Sequence, residues 1–136
     1  MTITSSNHAV QVDVGSGDIW HSLYSTVQVR LPKAIKERVP LAIDFLQNIH
    51  CGAEKALDTA REFNVIRDAL SSFPPQDAVY DMNNPERKAP WAGSISPVVT
   101  SCANLYLTAD GRDLLFEIVR LLTYAFYSQK SVNVAD

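Results

Sequence analysis

The chain has 136 residues, of which 46% are hydrophobic and 20% are charged, and its formal net charge is −3. This length and composition allow one domain with a buried core and exclude a chain that is disordered throughout. The acidic balance argues against direct binding of nucleic acid, because recognition of phosphate usually requires a basic surface.

The first residues show no signal for export or membrane insertion. Met1–Asn7 is polar and lacks the basic and apolar regions of a secretory signal. No apolar run reaches the ~20 residues that span a bilayer. We therefore predict a disordered tail at residues 1–7, a single domain at residues 8–136, a cytoplasmic location and no membrane partner. Cys51 and Cys102 fit free thiols in a reducing compartment.

The N-terminal half predicts a strand followed by a helix. His8–Val14 alternates valines with polar residues, which is typical of a half-buried strand. Gly15–Gly17 predicts a turn, and Asp18 is a candidate cap for the next element. Apolar residues from Ile19 to Thr26 have helical spacing, whereas those from Val27 to Leu31 alternate. This change of period predicts a helix that passes into a strand near Thr26.

Two helices are predicted in the middle of the chain. Leu41–Ile49 carries an apolar stripe and should end at Cys51-Gly52. Ala53–Phe73 repeats apolar residues every three or four positions, and Pro74-Pro75 should stop it. Pro32 or Pro40 is expected to begin or interrupt a helix.

The C-terminal half mixes short strands, a long loop and one helix. Asp110 is the expected cap of that helix. The predicted elements are a strand at Ala78–Asp81, a loop at Asn83–Ser96, a strand at Leu105–Thr108, a helix at Arg112–Tyr127 and an edge strand at Ser131–Val134. Helices and strands without regular alternation predict an α+β fold, with four or five short strands packed on three or four helices.

No pattern for catalysis or for a cofactor stands out. The glycines are too scattered for a phosphate loop, and the three histidines lack metal-ligand spacing, so we predict no cofactor and no metal site. One enzymatic alternative remains open, which is a carboxylate cluster of Asp81, Asp110 and Asp113. A cysteine paired with a histidine in space is a second form of the same alternative.

Trp91 stands on a loop rich in proline and asparagine, where a large aromatic side chain is unusual. Such a tryptophan either fills a gap in the core or serves as an anchor for a partner. The sequence favours the first role but leaves both open.

Five segments, taken in order, resemble the immunity protein 70 family of bacterial polymorphic toxin systems. They are WHSLYST (20–26), VIRDALSSF (65–73), PQDAVYDM (75–82), APWAG (89–93) and NLYLTADGRDLLF (104–116). The chain departs from the family pattern at Ala89, where a proline is usual, and at Ala92, which is inserted before Gly93. Residues 28–38 have no recognisable counterpart.

The resemblance implies a small, non-enzymatic antitoxin that binds and blocks a cognate toxin domain. The toxin would be a nuclease-type C-terminal domain of a contact-dependent growth inhibition system, and occlusion of its active site would be the mechanism. Polar and aromatic residues on an irregular segment are the expected contacts, with two aspartates beside them. The predicted partner-binding residues are Asp81, Asn83, Asn84, Glu86, Trp91, Asp110 and Asp113. A homodimeric adaptor is the remaining alternative, and the oligomeric state stays open.

Overall fold

The structure is a computed structural model that describes residues 1–135. Within these residues, five helices and a three-stranded sheet are formed. The strands are β1 (Thr2–Ser5), β2 (Gln11–Asp13) and β3 (Val132–Val134). The helices are α1 (Gly17–Arg30), α2 (Lys33–Lys36), α3 (Pro40–Asn48), α4 (Ala53–Leu70) and α5 (Leu114–Ser128). The predicted α+β class is confirmed, but the sheet has fewer strands than expected. The predicted domain boundary at Asp136 lies outside the described residues.

The sheet is antiparallel and has the order β2-β1-β3, so the first residues of the chain form its central strand. The prediction of a disordered tail at residues 1–7 is therefore wrong. Ile3 is fully buried, and it lies opposite Val12 on one side and Val134 on the other. The backbone groups of β1 form hydrogen bonds with two neighbouring strands. This pairing orders the segment, although its own sequence lacks the amphipathic pattern that predicts a strand. The predicted edge strand at the C-terminus is confirmed as β3.

The core lies where α4 and α5 pack against each other, which is the most extensive contact between helices. The apolar spacing of the sequence predicts both helices, and both are confirmed. The buried side chains of α4 are Ala56, Thr59, Ala60, Phe63, Ile66 and Leu70. Those of α5 are Leu114, Leu115, Glu117, Ile118, Leu121, Leu122 and Ala125. Pro32 caps α2 and Pro40 begins α3, so both prolines start helices as expected.

Helix α1 continues to Arg30, and the predicted change to a strand near Thr26 is wrong. Residues 22, 23, 25, 26 and 27 are all buried, because other segments cover α1 on several sides. Val27 and Leu31 are buried, whereas Val29 is an apolar residue exposed on the helix surface, so the alternation that predicts a strand does not reflect burial. Ser16, rather than Asp18, is the N-cap, since its hydroxyl accepts from the Asp18 amide at 3.1 Å. Helix α3 ends at Ile49, whose φ of 51° is left-handed, before Cys51 is reached.

The two predicted internal strands are not formed in the described part of the chain. Residues 78–81 form no regular structure, and their backbone is bound by side chains of α1 instead of another strand. Residues 105–108 contribute one isolated bridge, between Leu107 and Asp113. Asp113 caps α5 by accepting from the Phe116 amide at 3.1 Å, so the prediction of Asp110 as the cap is also wrong.

Candidate functional site

Three hydroxyl groups on α1 hold the segment that follows the 3₁₀ turn at Pro75–Asp77. Ser22, Ser25 and Thr26 share one face of the helix because they are three and four positions apart. The Val79 amide donates to Thr26 Oγ1 at 2.8 Å, and Ser22 Oγ donates to the Val79 carbonyl at 2.9 Å. The Met82 amide donates to Ser25 Oγ at 3.1 Å. Side-chain hydroxyls therefore replace the neighbouring strand that the sequence predicts.

Tyr106 completes this arrangement from the opposite side. Its hydroxyl lies 2.9 Å from Ser22 Oγ and 2.7 Å from Thr26 Oγ1, and it also donates to the Ser22 carbonyl at 3.2 Å. Burial raises the pKa of Tyr106 to about 12, although the hydrogen bonds with Ser22 and Thr26 act in the opposite direction. The base of the loop is thus fixed by a buried, neutral network.

Arg87 joins the loop to the start of α1. Its two terminal nitrogens donate to the Asp18 carboxylate at 3.3 and 3.0 Å, and one of them lies 3.6 Å from Asp81. The guanidinium also lies 4.9 Å from the centre of the Tyr80 ring. The hydrogen bond from Arg87 is the main cause that lowers the pKa of Asp18. His21 Nε2 approaches Asp81 at 3.0 Å, and this hydrogen bond is the main cause that lowers the pKa of Asp81.

Trp91 is partly buried, and the structure gives it features of both predicted roles. Its ring meets Tyr80 edge-on at 5.5 Å between centroids and meets Tyr106 edge-on at 6.2 Å. It packs against the core cluster and still lines an open cavity. Trp91 therefore joins the buried network to the surface.

That cavity has a volume of about 500 Å³ and is lined mainly by apolar side chains. It lies between the last turn of α1, residues 75–82 and residues 85–95. Val29 and Met82 contribute to it and remain 49% and 36% exposed. Ligand sites in proteins have volumes of ~300–1,000 Å³, so the cavity is large enough for a binding function.

The predicted site residues other than Trp91 lie in four locations. Asn83, Asn84 and Glu86 are exposed at the tip of the loop. Asp81 lies at the base, where its side chain is 15% exposed and engaged with His21 and Arg87. Asp110 lines a second cavity beside β2, and Asp113 lines a third beside α4. The sequence predicts all of these residues on one face, and Asp110 and Asp113 line cavities other than the one beside the loop.

The three carboxylates of the enzymatic alternative lie in separate places within the described residues. Asp81, Asp110 and Asp113 line different cavities, and no group of three metal-binding side chains occurs within residues 1–135. Cys51 is buried beside Thr59 and Cys102 is buried beside the Pro74 carbonyl, so neither thiol meets a histidine in the described part of the chain. Burial raises the pKa of Cys102 to about 11, which keeps it a thiol.

Sequence reasoning misses two parts of this site. The sequence indicates only that Arg87 belongs to a charged, solvated loop. Its partner Asp18 lies 69 residues away, so the pair is not visible in the sequence. The three hydroxyl groups of α1 are the second part, and they lie among apolar residues of the same helix. A buried hydroxyl requires a partner, and an extended segment is one that can supply it.

The comparisons with known proteins agree with the resemblance noted in the sequence. The family model described as immunity protein 70 matches residues 5–134, which is nearly the whole chain. Comparison with curated proteins and with solved structures gave no match. Among residues 1–135, no helix has the length and apolarity needed to cross a membrane.

Proposed function

This chain belongs to the immunity protein 70 family, and from that premise we propose that it neutralises one cognate toxin by binding to it directly. The family makes the chain an immunity protein with a toxin as its partner. Our proposal adds the mechanism, which is occlusion of the toxin active site by the face that carries residues 81–93. We also place this event in the cytoplasm.

The observation that supports this face is a polar tip on a rigid base. Asn83, Asn84 and Glu86 are exposed, while hydroxyl groups of α1 and the Arg87–Asp18 pair fix the residues on either side. Binding is tighter when a surface is ordered before the partner arrives, because less conformational freedom is lost. A fixed loop with exposed amide and carboxylate groups is therefore suited to recognise one partner. Asp110 and Asp113 remain predicted contacts, and the proposal does not depend on them.

We further propose that the toxin is a nuclease delivered by a contact-dependent growth inhibition system. The net charge of −3 and the exposed carboxylate of Glu86 support this choice, since a nuclease active site is basic. Complementary charge accelerates the encounter of two proteins. A neutral or acidic toxin would contradict this part of the proposal and leave the immunity function intact.

Titration calorimetry with the toxin domain encoded immediately upstream tests the proposal. We expect saturable binding and loss of toxin activity at the same molar ratio, with an unrelated toxin domain as the control. Replacing Asn83, Asn84 and Glu86 together by alanine should weaken binding without changing the fold. No binding of the wild-type protein at micromolar concentration would refute the proposed function.

A further inference from the structure

Two apolar side chains that line the cavity beside Trp91 are exposed to solvent. Val29, on the last turn of α1, is 49% exposed, and Met82 is 36% exposed. Both line the cavity, together with the rings of Tyr80 and Trp91. Apolar side chains gathered around one concave surface typically mark a site where another molecule binds.

More positive than negative side chains line this cavity. Asp81 is paired with His21 and Arg87, so its carboxylate is already engaged. Arg30 and Lys88 also line the cavity, and neither forms an ion pair within residues 1–135. Arg30 instead donates through Nε to the Asp77 carbonyl at 2.7 Å. The cavity therefore combines a mainly apolar lining with two positive side chains that form no ion pair within the described residues.

We propose that this cavity receives a segment of the toxin in which a large apolar side chain lies next to a carboxylate. The apolar side chain would pack between Val29, Met82 and Trp91, and the carboxylate would meet Lys88 or Arg30. The volume of about 500 Å³ is sufficient for such a side chain and its neighbours. This inference rests on the proposed function and adds the chemistry that the site recognises.

The position of the cavity supports a protein occupant. It adjoins the loop tip, where Glu86 is only two positions from Lys88. A partner that covers both would meet a negative charge at the tip and positive charges at the cavity. Such a pattern favours one orientation of the partner and disfavours others.

A pair of matched variants tests the proposed apolar contact at the cavity. Val29→Lys places a charge at the cavity, whereas Val98→Lys makes the same change at a residue that is 77% exposed and outside it. Calorimetry with the upstream toxin domain should show about tenfold weaker binding or more for Val29→Lys and no change for Val98→Lys. Met82→Ala is a second variant with a smaller risk to folding, and its binding should weaken in the same direction.

A second pair of variants tests the proposed contact between Lys88 and a carboxylate of the toxin. Lys88→Glu reverses one charge at the cavity, and Lys55→Glu makes the same reversal on the exposed side of α4. We expect slower association for Lys88→Glu than for Lys55→Glu. That difference should shrink as salt is raised from about 0.1 M to about 1 M, because the Debye length falls from ~10 to ~3 Å.

These experiments distinguish a failure of the proposed site from a failure of the proposed function on which it rests. Wild-type affinity for Val29→Lys, Met82→Ala and Lys88→Glu would overturn the proposed site while leaving the immunity function in place. Failure of the wild-type protein to bind would overturn both. A small molecule that copurifies in the cavity, with toxin binding unchanged by its removal, would also overturn the proposed occupant.

Discussion

The guanidinium of Arg87 binds the carboxylate of Asp18 through two hydrogen bonds, of 3.3 and 3.0 Å, across 69 positions of sequence. This pair joins the exposed loop to the first turn of α1. Because both side chains are substantially exposed, the pair contributes more to the order of the loop than to global stability.

We therefore predict that Arg87→Ala loosens the loop while the fold persists. Hydrogen–deuterium exchange should become faster at residues 83–93 and stay unchanged in α4 and α5. Arg61→Ala removes a more exposed pair, between Arg61 and Asp58, that lies within α4, and it serves as the control. Unchanged exchange at residues 83–93 would show that the ion pair does not hold the loop.

Tyr106→Phe should destabilise the protein, because the lost hydroxyl has three buried partners. Removing one member of a buried hydrogen-bond network costs about 1–3 kcal/mol. Urea unfolding followed by circular dichroism measures the loss. Tyr127→Phe is the matched control, since that side chain is 73% exposed and the change should stay within about 0.5 kcal/mol.

Trp91→Ala should give a folded protein with reduced stability and weaker toxin binding. The side chain is partly buried, so we expect a loss of about 2 kcal/mol, below the ~3–5 kcal/mol typical of a fully buried tryptophan. Trp20→Ala provides that comparison, because Trp20 is 4% exposed and its Nε1 donates to the Leu46 carbonyl at 2.7 Å. Equal losses for the two variants would assign Trp91 to the core alone.

The stability of the protein should depend on pH through Glu117, a buried carboxylate that contacts Arg120 and Arg112. Burial alone raises the pKa of Glu117, but the hydrogen bonds and charges of the two arginines outweigh it, so the pKa lies below its usual value. A lowered pKa in the folded state stabilises the protein above the unfolded-state pKa of ~4.3. That contribution disappears as the pH falls through the lower folded-state pKa.

Glu117→Gln tests this assignment. At pH 7 we expect the free energy of unfolding to fall by about 1–3 kcal/mol, and the difference from wild type should narrow below about pH 4. Glu86→Gln, at an exposed position, should cost no more than about 0.5 kcal/mol at any pH. A Glu117→Gln difference that does not depend on pH would point to packing instead of charge.

Sequence reasoning succeeds for the elements whose burial follows from their own periodicity. Phe63 and Ile66 in α4 recur at a helical interval and lie in the core, as do Leu115 and Leu122 in α5. The errors occur where burial is imposed by distant segments. Thr4 is buried because two strands flank it, and hydroxyls of α1 hold the irregular segment at residues 78–81 where the sequence predicts a strand.

The candidate site is predictable only in part for the same reason. Composition alone indicates the loop and Trp91, since proline and asparagine interrupt regular structure there. Asp110 and Asp113 line cavities other than the one beside the loop, because the sheet edge on which their grouping is based does not form within residues 1–135. The role of Arg87 depends on Asp18, and pairing across that distance is not visible in a single sequence.

The position of β1 has a consequence for biosynthesis. Ile3 pairs with Val134, and the Ala135 amide donates to the Thr2 carbonyl at 2.8 Å. Since a chain is made from its N-terminus, the central strand cannot pair with its second neighbour until residues 132–134 have been synthesised. The sheet is therefore completed only after all five helices between β1 and β3 have been synthesised.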